Sequence, residues 1–233
     1  MSEIETTLSD IRLFLQSLKT DLPEVFAKDA PAADQQGKIL YMGDFYDADI
    51  TVDAEAEPSV KYDADTYKFL VTIKNEDDDA SDMVETWLRE EAGRVLKERS
   101  AAWAAKMGVE FNTIFIKDQR TMWGSCSENK NINFSYRIIK MPNVIIDYLI
   151  VHELAHLVHM NHAQEYWALV EQHCPDYDSH RKWLNSNRAH IMANTKITYV
   201  KPQENTAEQP SAAAEEPQAA AEGEEHEVKP ETV

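Results

Sequence analysis

The sequence predicts an α+β protein: a small antiparallel or mixed sheet packed on one buried helix, with further helices toward the C-terminal end. Three observations predict it. Short alternating stretches, ILYMGDFYDADITV and YKFLVTIKN, come first, and VEFNTIFIKD and NINFSYRII come after a long helical segment. The stretch VIIDYLIVHELAHLVHM has helical spacing and is apolar around most of its circumference, which marks a buried helix. Hydrophobic residues make up 43% of the 233, enough for one sizeable domain with a core.

Three regions are expected: a helical appendage and linker over 1–37, a folded domain over 38–200, and a disordered acidic tail over 201–233. In the first, Leu8, Ile11, Leu13, Leu15 and Leu18 make a rough helical stripe behind Ser9, and the helix ends before Pro23. It either docks on its own domain or recruits a partner, and AKDAPAADQQGK then reads as a linker. The tail is rich in Ala, Glu, Pro and Gln and carries nine Glu against two Lys from Lys201 on, with little to bury.

Within the domain, the strands of 39–74 are joined by acidic turns. The run Glu76-Asp77-Asp78-Asp79 lacks the Gly and the ligand spacing of an EF-hand loop and reads as a solvated turn. A helix from Ser81 to about Met107 comes next, with Ser81 or Asp82 as cap and Gly108 at its end. Its stripe is Val84, Trp87, Leu88, Val95, Leu96 and Trp103. Between the next two strands, Arg120 to Ser127 reads as a turn at a sheet edge, where Gly124 permits a close backbone approach. Pro142 opens the buried helix, whose apolar residues include Ile145, Ile146, Leu149, Ile150, Leu154, Leu157 and Val158. Asn161 is expected to end it in a left-handed conformation. Ala163 to Gln172 forms another helix, Cys174-Pro175-Asp176 breaks it, Asp178 to Asn185 starts a third, and ITYV closes the domain as a strand.

The formal net charge is −19 and the sequence pI about 4.7, which argues against general attraction to phosphate backbones or anionic membranes. MSEIETTLSDIRLFLQ is charged throughout and is no secretory signal, and no apolar run reaches membrane-spanning length. Cys126 and Cys174 make no CxxC and are expected to be reduced thiols. The expected location is cytoplasmic.

The buried helix carries the chemistry. His152 and His156 are four residues apart, so they share one face and can offer two imidazoles to one metal ion. Glu153 is placed to reach a water on that metal, the arrangement of a zinc peptidase. A catalytic zinc needs three protein ligands and an open position. His162 is the first choice for the third, and Glu165 or Glu171 is the rival. The histidine spacing is that of the metzincins, but His159 stands where their turn has Gly. For His159, His173, His180 and His190 the expected role is an ordinary core or surface imidazole.

WGSCS, NINFSYRII, PNVIIDYLIVHELAHLVHMNH and EYWALVEQHCPDYDSHRKWL together resemble the YgjP-like metallopeptidases, which are related in outline to the SprT-like group. The resemblance covers roughly 39–187 and leaves out the N-terminal helix and the tail. It implies a zincin-like fold, Zn2+ as cofactor, His152, His156 and His162 as ligands, Glu153 as general base, and a protein or peptide substrate. Met122 stands where the family has a basic residue before its Trp-Gly-Ser-Cys. The expected function is therefore zinc-dependent peptide-bond hydrolysis. The alternatives are a non-catalytic, zinc-stabilised protein-binding domain and a DNA-associated SprT-like protease. The acidic composition disfavours direct nucleic-acid binding, and no membrane partner is expected. WGSCS is either the edge strand along which a peptide lies or a hairpin that packs Trp123 on the metal-site helix.

Overall fold

The computed structural model describes residues 37–201. The expected N-terminal helix and the acidic tail lie outside the described residues. Among the described residues, eight short strands and four α-helices make the α+β architecture that the patterning predicts.

The strands β1 (Ile39–Tyr41) and β2 (Asp44–Tyr46) form an antiparallel hairpin. Its two-residue loop is Met42-Gly43, both at positive φ, as a hairpin twisting with its strands requires. The loop is tied to a segment nearly a hundred residues later: the Met42 and Gly43 N–H groups donate to the Ile139 and Lys140 carbonyls. A Cβ on Gly43 would stand 2.8 Å from Pro142 Cγ, so the hairpin lies flush against the start of the helix that Pro142 precedes.

In a second sheet, β3 (Ala48–Val52) runs parallel to β5 (Lys68–Ile73), and β4 (Ser59–Asp63) runs antiparallel to it on the other side. Phe69, Val71 and Ile73 of β5 point into the core, while Leu70 between them is exposed. The strand β4 went unmarked in the sequence. In SVKYD only Val60 and Tyr62 alternate, too little for a pattern without a partner.

Helix α1 (Ala80–Met107) is capped by Asp79, whose carboxylate accepts from the Ser81 and Asp82 N–H groups; neither Ser81 nor Asp82 is the cap. The cap falls earlier because Asp78 closes the preceding turn onto the Lys74 and Asn75 N–H groups and leaves Asp79 at the helix mouth. The acidic run is thus a turn plus a cap. Gly108, at φ 68, ends the helix as expected.

The third sheet positions the site. Here β6 (Ile114–Lys117) runs parallel to the central β8 (Ile132–Ser135), and β7 (Gly124–Cys126) pairs antiparallel with β8 as the outer strand on the other side. After Ser135 the chain does not continue as strand, as NINFSYRII suggested. Tyr136–Lys140 is a fully buried 3-10 helix. The tighter turn delivers Arg137 to Asp118, and both Tyr136 and Lys140 to Glu85. Buried charge needs those partners, and the need overrides the β-rich sequence.

Helix α2 (Asn143–Ala155) is buried over most of its circumference. Two more helices complete the set, α3 (Gln164–His173) and α4 (Tyr177–Met192). The last is longer than expected because Ile191, like Trp183 and Leu184, finds the core. ITYV is not a strand. It runs as an irregular strap on α1, where Ser81 Oγ exchanges hydrogen bonds with the backbone of Ile197 and Glu85 accepts the Thr195 N–H. Side chains of α1 take the place of a ladder. Among the described residues no helix is long and apolar enough to cross a membrane.

Candidate metal centre

The centre forms where α2 ends. The helix stops at Ala155, short of the Met160 that the apolar pattern reached. The Leu157 and Val158 N–H groups fold back three residues, to the Leu154 and Ala155 carbonyls at 3.0 and 3.1 Å. This turn brings the His159 carbonyl to 3.1 Å from Nδ1 of His156, which donates to it. With Nδ1 protonated, Nε2 of His156 keeps its lone pair for a metal. Asn161 is not left-handed. Among the described residues only Met42, Tyr67 and Lys130 adopt positive φ without being glycine. The Asn161 carboxamide oxygen instead accepts the Ala163 N–H at 3.2 Å, in the turn just before Gln164.

The turn returns His162 to the helix. Its Nε2 lies 3.5 Å from Nε2 of His152. Ligand atoms of His152, His156 and His162 all lie within 4.8 Å of one another, the one such group of three among the described residues. Glu165 and Glu171 are not members of it, nor are His159, His173, His180 and His190. Burial holds the His152 imidazole down to about 3, and the neighbouring charges of His156, His162 and Arg181 add to the effect. Burial also lowers His156, and His162 adds to that, against the upward pull of the His159 carbonyl. A neutral imidazole is the form that ligates metal.

Glu153 is only 4% exposed, and burial pushes its carboxyl up to about 8. Its Oε2 has no hydrogen-bond partner among the described residues. Its other side rests on the backbone of β7. A Cβ on Gly124 would stand 2.6 Å from Glu153 Oε1 and 2.8 Å from Cδ. Any side chain at 124 would displace the carboxylate, which explains the glycine of WGSCS. Trp123 beside it is covered by the guanidinium of Arg188 from α4, 5.2 Å from the ring, and Arg188 also donates to the Arg120 and Thr121 carbonyls. Burial and the charge of Glu153 raise the Cys126 thiol to about 11, and it stays outside the imidazole group.

Sequence reasoning missed Tyr166. This fully buried side chain donates its hydroxyl to the His152 carbonyl at 2.9 Å. Its ring stacks on His156 at 4.7 Å and 29°, and meets His162 edge-on at 4.6 Å and 71°. One tyrosine thus braces all three imidazoles. The signal in the sequence was a tyrosine on the buried face of the helix that begins just after His162, whose hydroxyl needs an acceptor.

The model of the YgjP-like family, metallopeptidase domain, matches residues 4–187. The chain belongs to this family. It is therefore a metallopeptidase, an enzyme that acts on protein or peptide substrates with a metal ion. The match begins at residue 4, upstream of the stretch that the motifs alone cover, and so takes in the N-terminal segment. Comparison with curated proteins finds no match. Among solved structures, the crystal structure of the metallopeptidase zymogen of Pyrococcus abyssi abylysin is similar at a TM-score of 0.37 and 16% identity, over 43% of this chain and 99% of that one, a likeness too loose to carry an argument.

Proposed function

We propose that the protein is a zinc-dependent peptidase in which His152, His156 and His162 hold the metal and Glu153 is the general base. The observation that carries this reading is the convergence of three imidazoles beside a buried carboxylate with an unpartnered oxygen. The residues fit the ion. Three imidazole nitrogens leave a fourth position open, and nitrogen donors suit zinc. Nε2 of His152 and Nε2 of His162 face each other at a distance that a shared cation would satisfy.

When bound, the metal supplies Lewis-acid polarisation of water and of the peptide carbonyl. The chain's own groups handle the proton. Glu153 Oε2 is the oxygen with capacity to accept it from the attacking water. The carboxyl then returns the proton to the leaving amine. The outer strand β7 offers a backbone edge on which an extended peptide can add as a further strand, next to Glu153. A purely structural zinc site has no use for a buried carboxylate, and Glu153 therefore favours catalysis over the zinc-stabilised binding domain. The same proposal places the protein in the cytoplasm, where the free thiols of Cys126 and Cys174 stay reduced.

Metal content and cleavage of a panel of denatured proteins, compared between the parent and Glu153→Gln, test the reading. Both should carry zinc. Hydrolysis should fall at least about a hundredfold in the variant. A zinc-loaded parent that cleaves nothing would favour the binding domain, and an active parent indifferent to the substitution would remove Glu153 from the mechanism.

A further inference from the structure

Beside the imidazoles, α3 and α4 build a shelf with a cation on it. The Trp167 ring lies 5.5 Å from the His162 ring and 6.0 Å from that of His152. Tyr177 stacks on Trp167 at 5.2 Å and 18°, and the Arg181 guanidinium sits 4.7 Å over the same indole. A guanidinium laid on a ring keeps its donors, because they point outward in its own plane. Arg181 is half exposed, and its ion-pair partner is Asp178, 3.4 Å away and 67% exposed on the same helix. Such an exposed pair contributes little and yields easily to a better acceptor. The ring-to-ring and ring-to-cation distances place the guanidinium within about 10 Å of the His162 ring, roughly three residues of extended peptide. It is a positioned cation at the rim of the site in a chain of net charge −19.

We propose that Arg181, held on the Trp167–Tyr177 shelf, selects peptides that carry a carboxylate within about three residues of the scissile bond. The carboxylate is an acidic side chain or the C-terminal carboxylate of the substrate. The position of the scissile bond rests on the peptidase reading above; the carboxylate site itself does not.

The test uses one parent peptide with neutral side chains and an amidated C-terminus. Two sets derive from it: Glu for Gln at successive positions on either side of the cleavage point, and the free C-terminal acid. Dissociation constants are read by calorimetry on the Glu153→Gln chain, without turnover, and kcat/KM on the parent protein. One arm should show a preference of about tenfold for the carboxylate, the scale of a charge-assisted hydrogen bond, and that arm names the source. Arg181→Gln should abolish the preference and Arg181→Lys should keep part of it. Arg181→Glu should turn it toward Lys-bearing peptides, a reversal that a merely structural arginine would not produce. Equal binding of acid and amide in both sets, with hydrolysis intact, overturns the proposal and leaves the peptidase reading standing. So does a preference that survives Arg181→Gln. Carboxylate-dependent binding with no hydrolysis supports the site and counts against the proposed mechanism, and failure of every peptide to bind overturns the carboxylate site alone.

Discussion

Two buried polar centres of this molecule treat their atoms in opposite ways. Around Glu85, each buried charge has an answer. Lys140 Nζ donates to Glu85 Oε1 and to the Ala193 carbonyl, both at 2.9 Å. Tyr136 donates to Glu85 Oε2, and Arg137 reaches Asp118, Asn194 and the Met192 carbonyl. At the end of α2, by contrast, Oε2 of Glu153 and Nδ1 of His152 are buried without a partner among the described residues, and two Nε2 atoms face each other. The first centre is complete, and what it does is fasten the 3-10 helix and the C-terminal strap to α1. The second is incomplete among the described residues, which is how a centre looks when it is shaped for something that arrives.

The difference can be broken from either side. Lys140→Met leaves Glu85 charged and buried without its counter-ion, and should cost about 3 kcal/mol, read as a lowered denaturant midpoint. Gly124→Ala should push the Glu153 carboxylate aside. Displacement of a catalytic group by about 1 Å costs on the order of a hundredfold in rate, so kcat should fall by that scale while metal content is unchanged. Tyr166→Phe removes only the bond to the His152 carbonyl and should weaken zinc about fivefold, whereas Tyr166→Leu, which also removes the ring from His156 and His162, should weaken it more.

The two centres also differ in pH response. Burial alone would raise Glu85, but Lys140, Tyr136 and the Thr195 N–H bring it down to about 2. Its contribution to stability is present above its ordinary 4.5 and is lost as pH falls toward about 2. Glu153 runs the other way. Its folded pKa of about 8 lies above 4.5, so the metal-free fold loses stability as pH rises between the two. Metal-free Glu153→Gln should therefore match the parent in thermal midpoint near pH 4 and exceed it near pH 9. Equal midpoints at both would contradict a carboxyl held up by burial.

What was legible in the sequence was local. His152, Glu153 and His156 lie within one helical turn, so their common placement follows from helix geometry, and the short return to His162 follows from a turn that cannot travel far. The apolar circumference of α2 announced its burial. What was not legible depends on partners distant in sequence. Tyr166 reads as one more aromatic of α3 until its hydroxyl is seen on His152. Glycine at 124 reads as a turn residue until Glu153 is seen against it. Tyr136–Lys140 and ITYV have strand-like side chains, yet the charges of Glu85 and Asp118 and the hydroxyl of Ser81 decide their shape. Even the end of α2 is set by a contact, His156 to the His159 carbonyl, that the apolar spacing did not contain.

The third imidazole carries the most weight, because His162 alone converts a helical pair into a centre. Zinc titration of the metal-free protein against a competing chelator, for the parent, His162→Ala and Glu171→Ala, measures it. The parent and Glu171→Ala should bind one zinc with equal affinity, and His162→Ala should lose at least about tenfold to a hundredfold, the scale set by losses around a metal ligand. Full zinc affinity in His162→Ala, with loss in Glu171→Ala or Glu165→Ala, would contradict the centre described here.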